Sequence, residues 1–354
     1  MLSFACLKEA LGEVPSREVE QSLTEIAREI LSGEADFLLG SGMSADAGLP
    51  TGAQLLRKLL RRHLFVDVTE VSDDDLLDLA ASAPFEVIMG VIQEDLPRKR
   101  VALREELIAL LTPSPAGTSS DAHTALAQLI LWNGSILIRR IFTTNLELLF
   151  EEAIGEAAMP ITEENADQYE QALRGGRIPV LHLHGLVGSD FQVTEDDVMD
   201  ATTYRSLDAI LMDRLFFSHA FCFVGYSLSD PDFRRLYAAY RGRLQLRKDR
   251  DKWTYVVHPV SNAAEYRLFQ SAWTIRGAKF IPLTSNEFFS QIGELMTVVR
   301  DQRDADDLCQ YYGWSPTDLA VRVRKVRDIL DLQEDPDAYE FLREIGPVKV
   351  GGAS

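Results

Sequence analysis

Residues 40–52 read Gly-Ser-Gly-Met-Ser-Ala-Asp-Ala-Gly-Leu-Pro-Thr-Gly, directly after the apolar run 35–39. A strand that ends in a glycine-rich turn and enters a helix presents backbone N–H groups to an anion, and a pyrophosphate suits such a turn. Gly40, Ser41, Gly42, Ser44 and Gly48 are therefore candidate phosphate-binding residues. The spacing is Gly-x-Gly followed by five residues and Gly48, not the dehydrogenase pattern Gly-x-Gly-x-x-Gly. About 20 residues on, where a dehydrogenase places an acid on the ribose, stand Leu60, Arg61 and Arg62. These features predict a dinucleotide bound for chemistry other than hydride transfer.

Three further segments could share that site. Thr143-Thr144-Asn145 follows a strand and precedes a helix. Asn145 there can donate and accept a hydrogen bond, which suits a water or a ribose hydroxyl; Asn and Thr are equally good helix N-caps. His182 and His184 end the run Val180-Leu181-His182-Leu183-His184-Gly185. Two residues apart on a strand, they are predicted to face one side of the sheet. His184, at the strand end beside a glycine, is the candidate general base, and His182, one step deeper, reads as structural. The third segment runs from Gly225 through Tyr226 and Ser227 to Asp230-Pro231. Gly225 and Ser227 are candidate ligand contacts. Asp230 reads as an N-cap first and as a ligand contact second.

Elements of the right kind flank these segments. An amphipathic helix is predicted over 17–33 and another over 54–63. A helical block covers 73–112, broken at Pro84 and Pro97, with Asp73, Asp74 and Asp75 at its start, where the helix dipole favours acid. A Pro/Ser/Gly-rich loop follows at 112–120, then a helix over 123–132. Strands are predicted at 136–142, 179–183, 220–226, 253–257 and 279–282. Between them lie helices over 204–217, 230–247, 262–272 and 287–299, and a polar helical insert at 156–177. Such alternation predicts an α/β fold, a Rossmann-like, mostly parallel sheet with helices on both faces. The expected organisation is one domain over 1–300, with 73–112 and 156–177 as helical insertions, and a charged helical tail over 301–354.

Composition narrows the class. Of 354 residues 46% are hydrophobic, enough for a real core, and no apolar stretch approaches the ~20 residues of a membrane span. The first ten residues lack a basic region followed by a long apolar run, so no signal peptide is expected. Cys6, Cys222 and Cys309 are scattered and odd in number, which fits a reducing cytoplasm and offers no Cys-x-x-Cys metal pair. A net charge of −19 argues against a free nucleic acid as ligand. The basic runs, such as Arg98-Lys99-Arg100, have helical spacing with acids nearby and read as solvated faces.

Taken together, these segments resemble the sirtuin family. The glycine loop resembles its Gly-Ala-Gly-Ile-Ser…Gly-Ile-Pro motif, Thr143-Thr144-Asn145 the start of its Thr-x-Asn-x-Asp motif, His184-Gly185 its His-Gly pair, and Gly225-Tyr226-Ser227-Leu228 its later Gly-x-Ser motif. His123, before the Asn strand, also fits. The likeness extends over about residues 20–295. Departures are equally specific. Thr51-Gly52-Ala53 stands where sirtuin deacylases carry Asp-Phe-Arg, Glu147 replaces an Asp, and the four zinc cysteines are missing. The phrase from Val224 to Pro231 is similar to the zinc-less sirtuin-like branch of bacterial antiphage defence. That resemblance implies an NAD+ hydrolase with NAD+ as substrate and no zinc, Asn145 and His184 being catalytic. The phosphate and ribose contacts would come from Gly40, Ser41, Gly42, Ser44, Gly48, Thr144, Gly225, Ser227 and Asp230. It further implies a cytoplasmic homo-oligomer, or a partner such as a HerA-type ATPase or a short Argonaute, without direct nucleic-acid or membrane binding. The alternatives are a protein-lysine deacylase and an NAD+ or ADP-ribose sensor without turnover.

Overall fold

The computed structural model describes residues 13–65, 71–112, 120–189, 191–194, 196–197, 206–226 and 253–322. Ser227, Asp230, the predicted helix 230–247 and the chain beyond 322 lie outside them. In chain order the main elements begin with α1 (Glu13–Ser32), β1 (Ala35–Leu39) and α2 (Gly52–His63). Next come α3 (Asp73–Ser82), α4 (Phe85–Asp95), α5 (Arg100–Leu111), α6 (Asp121–Ile130) and β2 (Ile141–Thr143). They are followed by α7 (Leu149–Ile154), β3 (Ala158–Ile161), α8 (Tyr169–Arg174), β4 (Ile178–His182), α9 (Ser206–Phe217) and β5 (Ala220–Val224). Last are β6 (Trp253–Val257), α10 (Ala263–Arg276), β7 (Ala278–Ile281) and α11 (Ser285–Tyr312).

Among the described residues the strands form one seven-stranded sheet in the order β3-β4-β2-β1-β5-β6-β7. Every pairing is parallel. β1, β4 and β5 are buried along their whole length, as continuous apolar runs covered on both faces must be. The chain passes from β1 to one half of the sheet and from β5 to the other. A crevice therefore opens beyond the carboxyl ends of these neighbours, where doubly wound sheets bind ligands. This is the predicted fold class.

Two expectations are corrected. The segment 156–177 is not a helical insert: Ala158–Ile161 is the edge strand β3, paired with β4, and only the rest is helical. Pro160 and the acidic residues around it hid the strand, yet an edge strand tolerates a proline because one side of it needs no donor. The predicted strand 136–142 pairs only over 141–143.

Helices α3 to α5 form a subdomain of their own. Pro84 sits in the break before α4, and α3 starts on Ser72, whose side chain accepts from the Asp75 N–H. Their apolar residues, Leu76, Met89, Ile92, Leu103 and Leu107, pack on Leu55, Leu56, Leu59 and Leu60 of α2. Leu146, Phe191 and Val193, from the loops after β2 and β4, complete this cluster and bring both loops under the helices.

The chain divides into two units, Met1–Gly293 and Glu294–Ser354, the boundary falling within α11. In the second unit Gly313, at φ +64°, ends α11, Ser315 caps a helix over 316–322 together with Asp318, and Arg322 stacks 4.2 Å over Trp314.

Candidate active site

The glycine loop begins as a continuation of the sheet. Gly40 donates its N–H to the Val224 carbonyl at 3.0 Å. The chain then makes two short 3-10 turns, Ser41–Met43 and Ala45–Ala47. Gly48, at φ +81°, ends the second, and α2 starts only at Gly52. The loop thus does not open straight into a helix, and several of its amides are already bonded. Gly42 N–H goes to the Gly225 carbonyl (2.8 Å), Met43 N–H to Gly40 (2.9 Å) and Ser44 N–H to Ser41 (3.2 Å). The Ser41 N–H has no partner among the described residues.

Asn145 stands just beyond β2. Its backbone N–H donates to Thr143 Oγ1 (3.0 Å), which itself donates to the Leu39 carbonyl (3.2 Å). Helix α7 starts four residues later, so Asn145 is not an N-cap. Its side chain turns instead to the glycine loop, donating from Nδ2 to Ser44 Oγ (3.1 Å) and Glu147 Oε1 (3.0 Å). The Ser44 hydroxyl donates to the same Glu147 oxygen. With both Nδ2 hydrogens engaged, the carboxamide oxygen of Asn145 is the group left to meet a ligand. Burial pushes the Glu147 carboxyl above its ordinary value, and the Ser44 and Asn145 bonds and the charge of His182 pull it part of the way back. From sequence Glu147 had stood out only as a replaced aspartate.

His182 is buried behind Asn145. Its Nδ1 faces the Asn145 carbonyl at 2.9 Å and its Nε2 faces Glu151 Oε1 at 2.6 Å. Burial alone would push the imidazole down, but the hydrogen bond and charge of Glu151, the Asn145 carbonyl and the charge of Glu147 outweigh it and hold the ring above its ordinary value. His184 does not share a strand face with His182. β4 ends at His182, and Gly185, at φ +73°, returns its N–H to the His182 carbonyl (3.1 Å). That turn breaks the alternation and leaves His184 half-buried, in the wall of a cavity.

The cavity measures about 420 Å³ and is lined by residues of the glycine loop, the Asn145 segment, His184, Val193, Tyr226, helices α2 to α4 and the end of α5. It brings together Gly40, Ser41, Ser44, Thr144, Asn145 and His184, with Glu147 added. Gly42, Gly48 and Gly225 are not in its lining. A Cβ on Gly42 would fall 2.8 Å from Gly225 Cα, and one on Gly225 would fall 2.7 Å from Met43 N. Close approach of the two loops thus requires glycine at both. Gly48 serves its turn through positive φ, with open space around it. On the far side Leu49, Leu55, Leu56 and Phe85 give the cavity an apolar wall.

A SIR2-like domain matches residues 139–277, the span that holds Asn145, His184 and Gly225. No curated protein matches the chain. Among solved structures, a Sir2 enzyme is 16% identical with a TM-score of 0.41, over 79% of this chain and 98% of its own. A Sir2 homologue mutant in complex with ADP-ribose is 15% identical with a TM-score of 0.44, over 80% and 98%. A further mutant with 2'-O-acetyl ADP-ribose is 14% identical with a TM-score of 0.39, over 80% and 97%.

Proposed function

We propose that the chain binds NAD+ in this cavity and hydrolyses the bond between nicotinamide and ribose. The observation that carries the reading is the meeting of Asn145, His184 and the Gly40–Ser41 wall around one cavity at the carboxyl edge of a parallel sheet. The SIR2-like match over 139–277 supports an NAD+-using site. Cleavage of an N-glycosidic bond passes through an oxocarbenium-like state. Nicotinamide leaves as a neutral base, so no acid needs to protonate it. The Asn145 carboxamide oxygen, held by Ser44 and Glu147, accepts from the attacking water or a ribose hydroxyl. His184 takes the proton that this water loses as its oxygen bonds to the ribose carbon. The products are nicotinamide, ADP-ribose and a proton. The apolar wall excludes other water from the cation.

The likeness of the Val224–Pro231 phrase to the antiphage-defence branch supports a role in defence by NAD+ depletion. Regulation then comes from self-assembly or from a separately encoded protein, a HerA-type ATPase or a short Argonaute. The test is nicotinamide release from NAD+ by the purified chain, alone and with its co-encoded neighbour, beside Asn145→Ala and His184→Ala. Both variants should lose at least about 10²-fold in kcat, the scale of a lost general base or positioning group. Wild-type turnover by His184→Ala would refute the assignment.

A further inference from the structure

We propose that the buried His182–Glu151 pair positions Asn145, holding the backbone of that residue from behind so that its carboxamide oxygen stays aimed into the cavity. Both partners of the ring are acceptors as placed: the Asn145 carbonyl at 2.9 Å on Nδ1 and Glu151 Oε1 at 2.6 Å on Nε2. A ring between two acceptors carries a proton on each nitrogen. His182 is therefore an imidazolium that donates twice, and Glu151 is its counter-ion. Side-chain exposure is 1% for His182 and 10% for Glu151, so solvent replaces neither partner. Glu151 Oε2 has no hydrogen bond among the described residues, which leaves the imidazolium as what compensates this carboxylate.

The geometry sets a division of labour. On the cavity side Ser44 and Glu147 take both Nδ2 hydrogens of Asn145. At its main chain Thr143 Oγ1 takes the N–H and His182 takes the carbonyl. Among the described residues Asn145 is thus held at every polar group except Oδ1. Among the described residues the charged groups that act on the ring are Glu151 from α7 and Glu147 from the loop after β2, and the Asn145 carbonyl is its other hydrogen-bond partner. His182 touches neither substrate nor reacting atoms, so it is a positioning residue. Its effect on turnover rests on the NAD+ reading above; its effect on Asn145 does not.

The experiment uses the full-length chain with ¹⁵N-labelled histidine and asparagine. In the wild type the His182 ring should show two protonated nitrogens at pH 8, above the range where free histidine is charged. His182→Gln identifies the signals. Glu151→Gln keeps the shape but removes the counter-ion. It should leave one ring proton, shift the Asn145 side-chain amide signals, and lower kcat for nicotinamide release about tenfold or more with KM unchanged. A singly protonated His182 ring in the wild type overturns the proposal even if the variants fail to fold. So do Asn145 signals unmoved in a folded Glu151→Gln. If those signals move but no form of the protein releases nicotinamide, alone or with its co-encoded neighbour, the positioning stands and the NAD+ reading falls.

Discussion

Gly42 donates its backbone N–H to the Gly225 carbonyl at 2.8 Å, and neither residue has room for a side chain. This contact ties the loop after β1 to the loop after β5 across the point where the sheet reverses its winding. Gly225 is also at φ +66°. An alanine there would bear both the left-handed backbone cost and a contact of 2.7 Å with Met43 N, so the two loops must separate. Gly225→Ala should therefore cost about 2 kcal/mol or more, read from urea or thermal unfolding, and should lower nicotinamide release with it. Gly48→Ala is the control. Its φ is +81° but nothing lies near the new Cβ, so only the backbone cost of about 1 kcal/mol applies. Equal losses in the two variants would show that the loop contact contributes nothing.

Beneath the same loop the chain has a pH-sensitive support. Ser120 caps α6 and donates its hydroxyl to the Met43 carbonyl at 2.9 Å, and His123 Nδ1 lies 2.6 Å from that hydroxyl. Burial pushes the His123 imidazole down to about 4 from an ordinary 6.5. The folded value lies below the unfolded one, so the unfolded chain takes up the proton first. The stability this group contributes is complete above pH 6.5 and is lost as the pH falls through about 4. The difference in unfolding free energy between wild type and His123→Gln should shrink by about 3 kcal/mol across that window. Measured at intervals of half a pH unit, a difference that stays flat from pH 7 to pH 4 contradicts the assignment.

Much of this was legible in the residues. The strand 253–257 is observed with the predicted ends, because a buried parallel strand is a short apolar run with clear borders. The glycine loop, Asn145 and His184 could be singled out because turn glycines and polar residues at strand ends are unusual in an apolar setting. What stayed hidden depends on partners far along the chain. Nothing near Glu147 shows that Ser44 donates to it, and nothing near Gly42 shows that it needs Gly225 to be bare. Sequence spacing read Gly42 as a phosphate contact and Gly225 as a phosphate or ribose contact; tertiary packing of one loop on the other accounts for their lack of side chains. The His182–His184 alternation misled for a local reason: β4 ends at His182, and the turn that Gly185 closes on the His182 carbonyl takes Leu183 and His184 out of the strand.

The loop that carries His184 is itself held by the helical subdomain. Arg100, at the start of α5, donates to Asp197 Oδ2 at 2.9 Å and to the Phe191 carbonyl, and its guanidinium lies 3.9 Å over the Phe191 ring. Phe191 is fully buried and bridges to Gly185, while Gln192 N–H returns to the His184 carbonyl at 2.8 Å. Arg98 and Lys99, just before Arg100, stand at φ +62° and +41° in the turn between α4 and α5. Arg100→Ala should cost about 1–3 kcal/mol, the scale of a half-buried charge-assisted bond left without its donor. Amide exchange over 184–194 should accelerate while the central strands β1 and β5 stay protected, and kcat/KM for nicotinamide release should fall about tenfold as His184 loses its fixed position. Arg100→Lys should restore little of this, because a single ammonium cannot serve the Asp197 carboxylate and the Phe191 carbonyl while stacking on the ring. Full recovery by lysine would show that only the charge matters; unchanged exchange over 184–194 in Arg100→Ala would show that the helices do not hold the histidine loop.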